Sequence, residues 1–557
     1  MADLAEQVGW LKDVRWHVSD GAALAVEFVI EHCGEDIPFA MTYAVFHPNC
    51  PPIIVPRDGR RISGHQYGVG GNLCLEYRAD NWETTITGAA MIESAHRLIA
   101  GEHHSDGPEL PSAHTVSIGQ SVRNSVLRFL ITQPVEDRLK MMEHGQAIEV
   151  SFAEKFHAET LTVTITEMDG ASNVRAWPAG VRETAKQGHA IRLPKDIAVP
   201  EAVQEDIADL LGDLGFAELR EKALGTTGEM DLVLVSDTQI AHIYAFDGSK
   251  SRNFLRARNL KVLADSRLPN EYAVLLEKNV GIVGCGSLGS KIAAMLVRAG
   301  VRRFTLIDDD VIFATNLVRN ELSAVATGVH KVDAVRNRLI EIAGTIDISV
   351  RRVALGGQES AETTESLMSA LRNCDVIIDA TADAHCFNFC AAVANDSSKP
   401  LIWGEVLAGG IGGLVARIRS GHEPEPQAAR NQINAWCNGH GIAAPLASVS
   451  TPYVGSVEGD SPLVADDSEV TIIAGHLARL ATDVLIRPEA SAFPVPAYAI
   501  GLRTGWIFSQ PFETWPINLV GSEPWKAQQD SSSAADGLAL LRELLPTAFD
   551  GHDKPSK

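Results

Sequence analysis

A chain of 557 residues is too long for one hydrophobic core and implies three or four domains. Its 45% hydrophobic and 21% charged residues are those of an ordinary folded protein, and 48 basic against 71 acidic side chains leave a net charge of −23. That balance argues against non-specific nucleic-acid binding, which needs a positive footprint, and against docking on an anionic membrane surface.

The N-terminus, Met1-Ala2-Asp3-Leu4-Ala5-Glu6, is acidic, with no basic-then-apolar signal behind it. Residues 22–30 and 39–46 read as strands, and Pro48, Pro51, Pro52 and Pro56 punctuate the next segment. Residues 87–100 have helical spacing, with Met91, Ile92, Ala95, Leu98 and Ile99 on one stripe. The polar, Gly- and Pro-flanked stretch 101–108 closes a first domain, 1–105. In the next module, 106–265, residues 149–152, 161–165 and 231–235 read as strands and 203–214 as a helix, with no chemical constellation among them. From 266 to 520, short apolar runs (280–283, 304–307, 348–353, 376–378) alternate with helical segments such as 290–298 and 331–342, which implies a mostly parallel, doubly wound sheet. The last part, 521–557, holds a serine-rich stretch, an amphipathic helix at 534–545 and a loose tail. The expected fold class is multidomain, α/β together with α+β.

Apolar stretches long enough to span a bilayer are interrupted, as by Glu405 between Trp403 and Ile411, so no transmembrane helix is expected. The eight cysteines, at 33, 50, 74, 285, 374, 386, 390 and 437, form no CxxC pair. No structural zinc is therefore expected, and scattered thiols without a leader suit a cytoplasmic location.

Gly284, Gly286 and Gly289 make a GxGxxG turn between a strand and a helix. The glycines permit a tight turn and close backbone approach, and the helix N-terminus favours phosphate. Alone, the turn would read as an NAD(P) site. Asp308 then ends the next strand, in Asp308-Asp309-Asp310, where a ribose-binding carboxylate belongs, and Asn316, Arg319 and Lys331 follow at short intervals. Two cations and an amide beside a nucleotide suit a triphosphate, whose charge must be neutralised. A later strand, ending in Asp379-Ala380-Thr381, delivers Asp383 at its carboxyl end, where a carboxylate can hold magnesium against the phosphates.

These runs, from Gly284–Gly289 through Asp308-Asp309-Asp310, Asn316-Leu317-Val318-Arg319 and Lys331-Val332 to Asp379-Ala380-Thr381-Ala382-Asp383, resemble the adenylation domain of ubiquitin-activating enzymes and their bacterial relatives of the ThiF/MoeB type. The resemblance implies ATP and magnesium as cofactors, Asp308 on the ribose, Arg319 and Lys331 on the phosphates and Asp383 on the magnesium. It places Asp310 and Asn316 in the same nucleotide site and implies a two-fold dimer through this domain. One departure stands out: the family's Thr-Asp-Asn is here Thr381-Ala382-Asp383, so the acid falls one place late.

Cys74 follows Gly70-Gly71-Asn72-Leu73, just after a turn, and a mainly polar segment, 76–81, comes behind it. A thiolate nucleophile needs such exposure. The order of strand 39–46, Pro51-Pro52, Gly64-His65-Gln66-Tyr67, Leu73-Cys74-Leu75 and Trp82 resembles the core of ubiquitin-conjugating enzymes. In that family a His-Pro-Asn triplet precedes the cysteine. Here His65-Gln66-Tyr67 holds its place, and the literal His47-Pro48-Asn49 falls in the proline-rich segment after the third strand. The family's oxyanion-steadying asparagine is thus missing, with Gln66 or His65 left to substitute.

Together the two resemblances point to the fused conjugating–activating enzymes of bacterial ubiquitin-like operons, some of them in antiphage systems of the CBASS kind. They imply an N-terminal ubiquitin-conjugating-like α+β domain, a middle α+β module and a C-terminal doubly wound, Rossmann-like adenylation domain. Activating enzymes that form their own thioester place a cysteine after the adenylation core, in many relatives just before the helix expected here at 470–485. This chain has Ala465-Asp466-Asp467-Ser468-Glu469 there. Cys437, in Asn434-Ala435-Trp436-Cys437-Asn438-Gly439-His440, is the one thiol beyond Cys390. A polar, glycine-containing loop there would suit a relay, and packing against Trp436 would not.

The implied function is ATP-dependent adenylation of the C-terminus of a ubiquitin-like protein. Thioester transfer to Cys74, through Cys437 or directly, and conjugation to an amine on a target protein would follow. One alternative is a sulfur-carrier-activating adenylyltransferase, which has no use for a Cys74 domain. The other is a non-catalytic nucleotide-binding scaffold, which has no need of Asp308, Arg319, Lys331 and Asp383.

Overall fold

A computed structural model describes residues 1–19, 23–68, 70–101, 117–123, 125–170, 184–249, 251–262, 267–440, 465–525 and 534–545. They fall into two units, Met1–Ser125 and Val126–Lys557. The start of the strand expected at 22–30, most of the boundary stretch 101–108, the serine-rich stretch and the end of the tail lie outside the described residues.

In the first unit, strands Leu11–Val18, Leu24–His32, Glu35–Thr42 and Ile53–Pro56 form an antiparallel sheet in chain order. Period-two alternation turns Val26, Phe28, Ile30, Phe39, Met41 and Ile54 to one face, where they are almost wholly buried. The helix Gly88–Gly101 covers that face with Met91, Ile92, Ala95 and Ile99, the stripe read from the sequence. The third strand starts earlier than expected because Cys33 and Gly34, at φ of 53° and 83°, close a tight hairpin. The first strand was not expected at all. Lys12, Asp13 and Arg15 interrupt its alternation, its register shifts between Lys12 and Arg15, and Trp16 and Val18 are exposed.

The second unit begins with an eight-stranded sheet. Its members are Leu127–Thr132, Ala147–His157, Thr160–Met168, Thr184–Arg192, Met230–Val235, Ile240–Phe246, Asn253–Arg256 and Arg258–Val262, with helices Gln204–Asp213 and Ala217–Leu224 inserted before the fifth. The two outermost strands, Asn253–Arg256 and Arg258–Val262, are separated by Ala257 alone, whose N–H donates to the His242 carbonyl at 2.9 Å. One extended segment therefore brings both sheet edges together. Inside, His242 and Asp231 pair at 2.8 Å between Phe129 and Phe152, all four fully or nearly fully buried.

A second eight-stranded sheet follows, in the order Asp347–Arg351, Arg303–Ile307, Asn279–Val283, Val376–Asp379, Leu401–Leu407, Gly412–Ile418, Ala497–Gly501 and Thr514–Ile517. Its first five strands run parallel and the rest antiparallel. The strand order reverses between Asn279–Val283 and Val376–Asp379, the switch point at which such sheets bind ligands. Helix Asp467–Ile486 joins helix Ser287–Ala299 in one apolar cluster behind that point.

Arg417, about 1% exposed, is held in a buried ionic network. Its guanidinium lies 3.0 Å from Glu423 and 3.6 Å from Asp483, and Arg419 bonds the same Glu423. Such a cluster tolerates no missing member, because the remaining charge stays in low dielectric. Glu423→Ala is expected to destabilise the second unit by about 3–5 kcal/mol. Urea unfolding followed by the fluorescence of Trp525, whose Nε1–H donates to the Glu423 carbonyl, measures it. An unchanged midpoint would show that the network is dispensable.

Candidate functional site

The glycine turn sits at the switch point. Gly284 has φ +87°, a conformation costly for any residue with a Cβ, and a Cβ on Gly289 would stand 1.8 Å from the Gly284 carbonyl oxygen. A Cβ on Gly286 would meet nothing within 4 Å, so the chain leaves open space over the middle glycine. No side chain caps helix Ser287–Ala299, which starts there. Its first N–H groups and the positive end of its dipole are turned to whatever lies over the turn, a setting that suits phosphate.

Asp308 bonds to the turn itself, Asp310 and Lys331 are linked to Asp308, and Asn316, Arg319 and Asp383 lie on elements that follow in the chain. Asp308 ends Arg303–Ile307 and accepts the Cys285 N–H at 2.7 Å and the Asp310 N–H at 2.9 Å. Burial pushes its carboxyl up, against the pull of Lys331 and those two N–H groups. Lys331 opens helix Lys331–Ala343, and its ammonium lies 2.6 Å from Asp310. Burial pushes the Asp310 carboxyl up, but the Lys331 ammonium and the Val311 N–H outweigh it and hold that acid below its ordinary range. Asn316 belongs to a 3-10 turn, Ala314–Val318, and its Oδ1 accepts the Phe313 N–H at 2.9 Å. Arg319, half-buried, ends that turn.

Asp383 is exposed and has a structural task. It is the N-cap of helix Ala384–Ser397, its Oδ1 accepting the N–H groups of His385 at 2.8 Å and Cys386 at 2.9 Å. Ala382 before it takes φ +57°, a strained value for alanine that turns the chain into this cap. Oδ2 is the atom Asp383 can offer a cation. Among the described residues no group of three or more His, Cys, Asp or Glu side chains is placed to hold a metal.

In the first unit, Cys74 follows a two-strand ribbon, Gln66–Tyr67 with Asn72–Leu73, and is half-buried. Its N–H donates to the His65 carbonyl at 2.7 Å, which extends the pairing and sets the exposed His65 directly across from it on one face. Gln66 does not fit the role of substitute for the missing asparagine. It is fully buried, its Oε1 accepting the Ile62 and Ser63 N–H groups at 2.5 and 3.0 Å while its Nε2 donates to the Gly71 carbonyl at 2.9 Å. It shapes the loop before the thiol. Trp82 donates from Nε1 to the Pro48 carbonyl at 2.6 Å, which fastens the His47-Pro48-Asn49 segment. Behind Cys74, Arg97 clamps Glu76 with two bonds of 2.9 and 2.5 Å.

Cys437 is not in a loop. It lies in the last turn of helix Pro426–Gly439, on a buried stripe with Ala429 and Ile433, and burial pushes its thiol up. The sequence suggested a loop because Gly439 and His440 follow, but they mark the end of the helix and not its absence. The helix expected at 470–485 starts at Asp467, since Asp466 caps it and exchanges bonds of 2.9 Å with Glu469.

Three charged residues near the turn were not singled out from the sequence. Asp379, about 3% exposed, ends Val376–Asp379, and its Oδ1 takes both the N–H and the hydroxyl of Thr381, at 3.0 and 2.6 Å. Burial raises its carboxyl to about 6. Glu405 on Leu401–Leu407 is likewise pushed up by burial, and Arg430 pulls both acids back down. Glu405 had a visible signal, a lone charge in an apolar run.

Residues 257–455 match the ThiF family. The C-terminal region thus holds a ThiF-type adenylation domain with a Rossmann-like fold, in a chain of mixed α/β architecture. The uncharacterized protein y4qC of Sinorhizobium fredii (strain NBRC 101917 / NGR234) is similar over most of the chain, 29% identical over 79% of this chain and 80% of its own. Ubiquitin-like modifier-activating enzyme 5 of Caenorhabditis elegans is 32% identical over 19% of this chain and 25% of its own. ATP-dependent ubiquitin transferase-like protein Cap2 of Enterobacter hormaechei subsp. hoffmannii (strain UCI 50) is 35% identical over 22% of this chain and 20% of its own. The chain therefore spans a quarter of the length of the first of these two enzymes and a fifth of the second.

The glycines separate structural from nucleotide roles. Gly289→Ala is expected to destabilise the second unit by about 1–3 kcal/mol, because its Cβ collides with backbone. Gly286→Ala is expected to keep the wild-type melting temperature and lose nucleotide, measured by fluorescence of a labelled ATP. Tight nucleotide binding by Gly286→Ala would show that the open space is not the phosphate site.

Proposed function

We propose that this protein activates the C-terminal carboxylate of a ubiquitin-like protein with ATP, carries the acyl group on Cys74 and passes it to an amine on a target protein. The observation that carries the first step is the uncapped helix start over Gly286, with Asp308 bonded to the turn and Lys331 paired with Asp310 beside it. ATP would lie with its ribose on Asp308 and its phosphates over the turn, near Arg319 and Lys331. The carboxylate oxygen attacks the α-phosphorus, the bond to pyrophosphate breaks, and the acyl adenylate forms. Lys331 and Arg319 neutralise charge on the leaving pyrophosphate. Asp383 would hold magnesium through Oδ2, and the ion would supply further neutralisation of that charge.

The second step is supported by the first unit, a four-stranded antiparallel sheet and covering helix with Cys74 at the end of a paired ribbon. The Cys74 thiolate attacks the acyl carbon and AMP leaves. The target amine then attacks the thioester, loses a proton and releases the thiolate. His65, across from Cys74, is positioned to steady the oxyanion. The printed name of Cap2, an ATP-dependent ubiquitin transferase-like protein, agrees with this reading. A two-fold dimer through the adenylation domain, a cytoplasmic location and a place in antiphage defence belong to the same proposal. Among the described residues no helix is long and apolar enough to cross a membrane. We place Cys437 outside the route, since its thiol is buried in a helix and harder to ionise.

Asp383→Ala would lose the helix cap as well as the charge, so Asp383→Asn is the cleaner variant: it keeps an oxygen for the cap. ATP–pyrophosphate exchange in the presence of the ubiquitin-like partner should fall about 100-fold with an unchanged melting temperature. Full exchange would remove Asp383 from the metal site.

Cys74→Ser is expected to accumulate an ester that thiol reductant does not cleave, because an alkoxide leaves less readily than a thiolate. Cys437→Ala should charge Cys74 at the wild-type rate in a gel assay. A Cys437→Ala enzyme that makes adenylate yet fails to charge Cys74 would restore the relay. Wild-type conjugate yield from Cys74→Ala would refute the thioester role.

A further inference from the structure

Arg430 lies on helix Pro426–Gly439, whose buried side packs on the sheet through Ala429, Ile433 and Cys437. Its guanidinium sits 4.4 Å over the Phe387 ring, and Phe387 meets Trp403 edge-on with ring centroids 5.1 Å apart. Trp403 pairs in register with Asp379. Gln427 fastens the same helix to Asn388 at 2.9 Å. The aromatic pair and the helix contact therefore fix the cation near the carboxyl ends of two neighbouring parallel strands, Val376–Asp379 and Leu401–Leu407, the side on which open α/β sheets bind ligands.

Among the described residues Arg430 donates no hydrogen bond and forms no ion pair; its one close partner is the Phe387 ring. Asp379 and Glu405 lie near enough for Arg430 to pull their carboxyls down, but burial acts more strongly on both and keeps them up. Among the described residues neither acid is bonded to the guanidinium. A half-buried arginine has given up hydration, and leaving it without a bonded anion is unfavourable. The planar fork is suited to a carboxylate gripped at two points. The phosphate turn is close by: a Cβ on Gly284 or Gly289 would touch Ala380, the residue after Asp379.

We propose that Arg430 receives the free α-carboxylate at the C-terminus of the protein to be adenylated, with the Phe387 ring setting the plane of the guanidinium and thus the direction of attack on the nucleotide. This rests on the adenylation reading above. It assigns Arg430 recognition of the acyl substrate, apart from the groups that hold ATP. The grip is self-limiting: once the carboxylate oxygen is bonded to phosphorus, the charge that the guanidinium recognises is gone from the acyl group, and the guanidinium lets it go.

The test uses the full chain, immobilised and saturated with α,β-methylene ATP, and a pool of random heptapeptides in two forms, with free or amidated C-termini. The wild type should retain the free-acid pool at least about tenfold better than the amidated pool. Arg430→Met, which keeps an apolar stem on Phe387, should abolish that preference, and Arg430→Lys should restore part of it. Labelled-ATP binding and the melting temperature should match the wild type in both variants. Equal retention of acid and amide by the wild type, or a preference that survives in Arg430→Met, overturns the proposal. If Arg430→Met melts early, Arg430→Gln replaces it under the same criterion. A wild type that binds no nucleotide refutes the adenylation reading itself, and the Arg430 assignment falls with it. Normal nucleotide binding with no acid preference refutes only the assignment of Arg430.

Discussion

The approach of helix Ser287–Ala299 to the end of strand Asn279–Val283 is the constraint on which the adenylation domain depends. Because position 289 carries no Cβ, the helix can start against the carbonyl of Gly284, and because Gly284 turns with positive φ, the chain can reverse in so little space. That contact brings an uncapped helix end to the reversal of strand order, between the strand that leads to Asp308 and the strand that leads to Asp383. Asp308 reinforces it by accepting the Cys285 N–H, so one carboxylate both steadies the turn and marks its rim. The cations stand on separate elements and need only be near. The turn itself has no such freedom.

The acids around the turn each have a structural reason to be there. Asp308, Asp310, Asp379 and Asp383 each have a structural bond to make: to the turn, to Lys331, to Thr381 and to a helix start. Their negative charge is partly offset by the backbone N–H groups they accept from and, at Asp310, by the Lys331 ammonium.

The glycine turn, the parallel strands and the residues that follow them were legible in the sequence because each depends on local order: a strand, a turn that only glycine allows, an acid at a strand end. The strand Leu11–Val18 was not, since its charges and register shift break the alternation that betrays a half-buried strand. Gln66 looked like a substitute donor because sequence places it before Cys74, but its amide is consumed by backbone on both sides. Cys437 looked loop-like because glycine follows it, and glycine ends helices as readily as it opens loops. Arg430 was beyond reach for another reason. Its meaning comes from Phe387, Asp379 and Glu405, on three other elements, and no spacing along the chain announces a cation that bonds no anion among the described residues.

The meeting of the two edges of the first eight-stranded sheet carries a consequence for how its sequence can vary. Residues 253–262 serve one edge before Ala257 and the opposite edge after it, with pairing antiparallel on one side and parallel on the other. Adding or deleting one residue anywhere in this run would invert which side chains face inward along half of it, while the other half stayed in phase. Length change is usually easiest in polar, partly exposed chain, and this run looks like such chain. Its reading frame is nonetheless fixed from both sides, so it should drift in composition and hold its length.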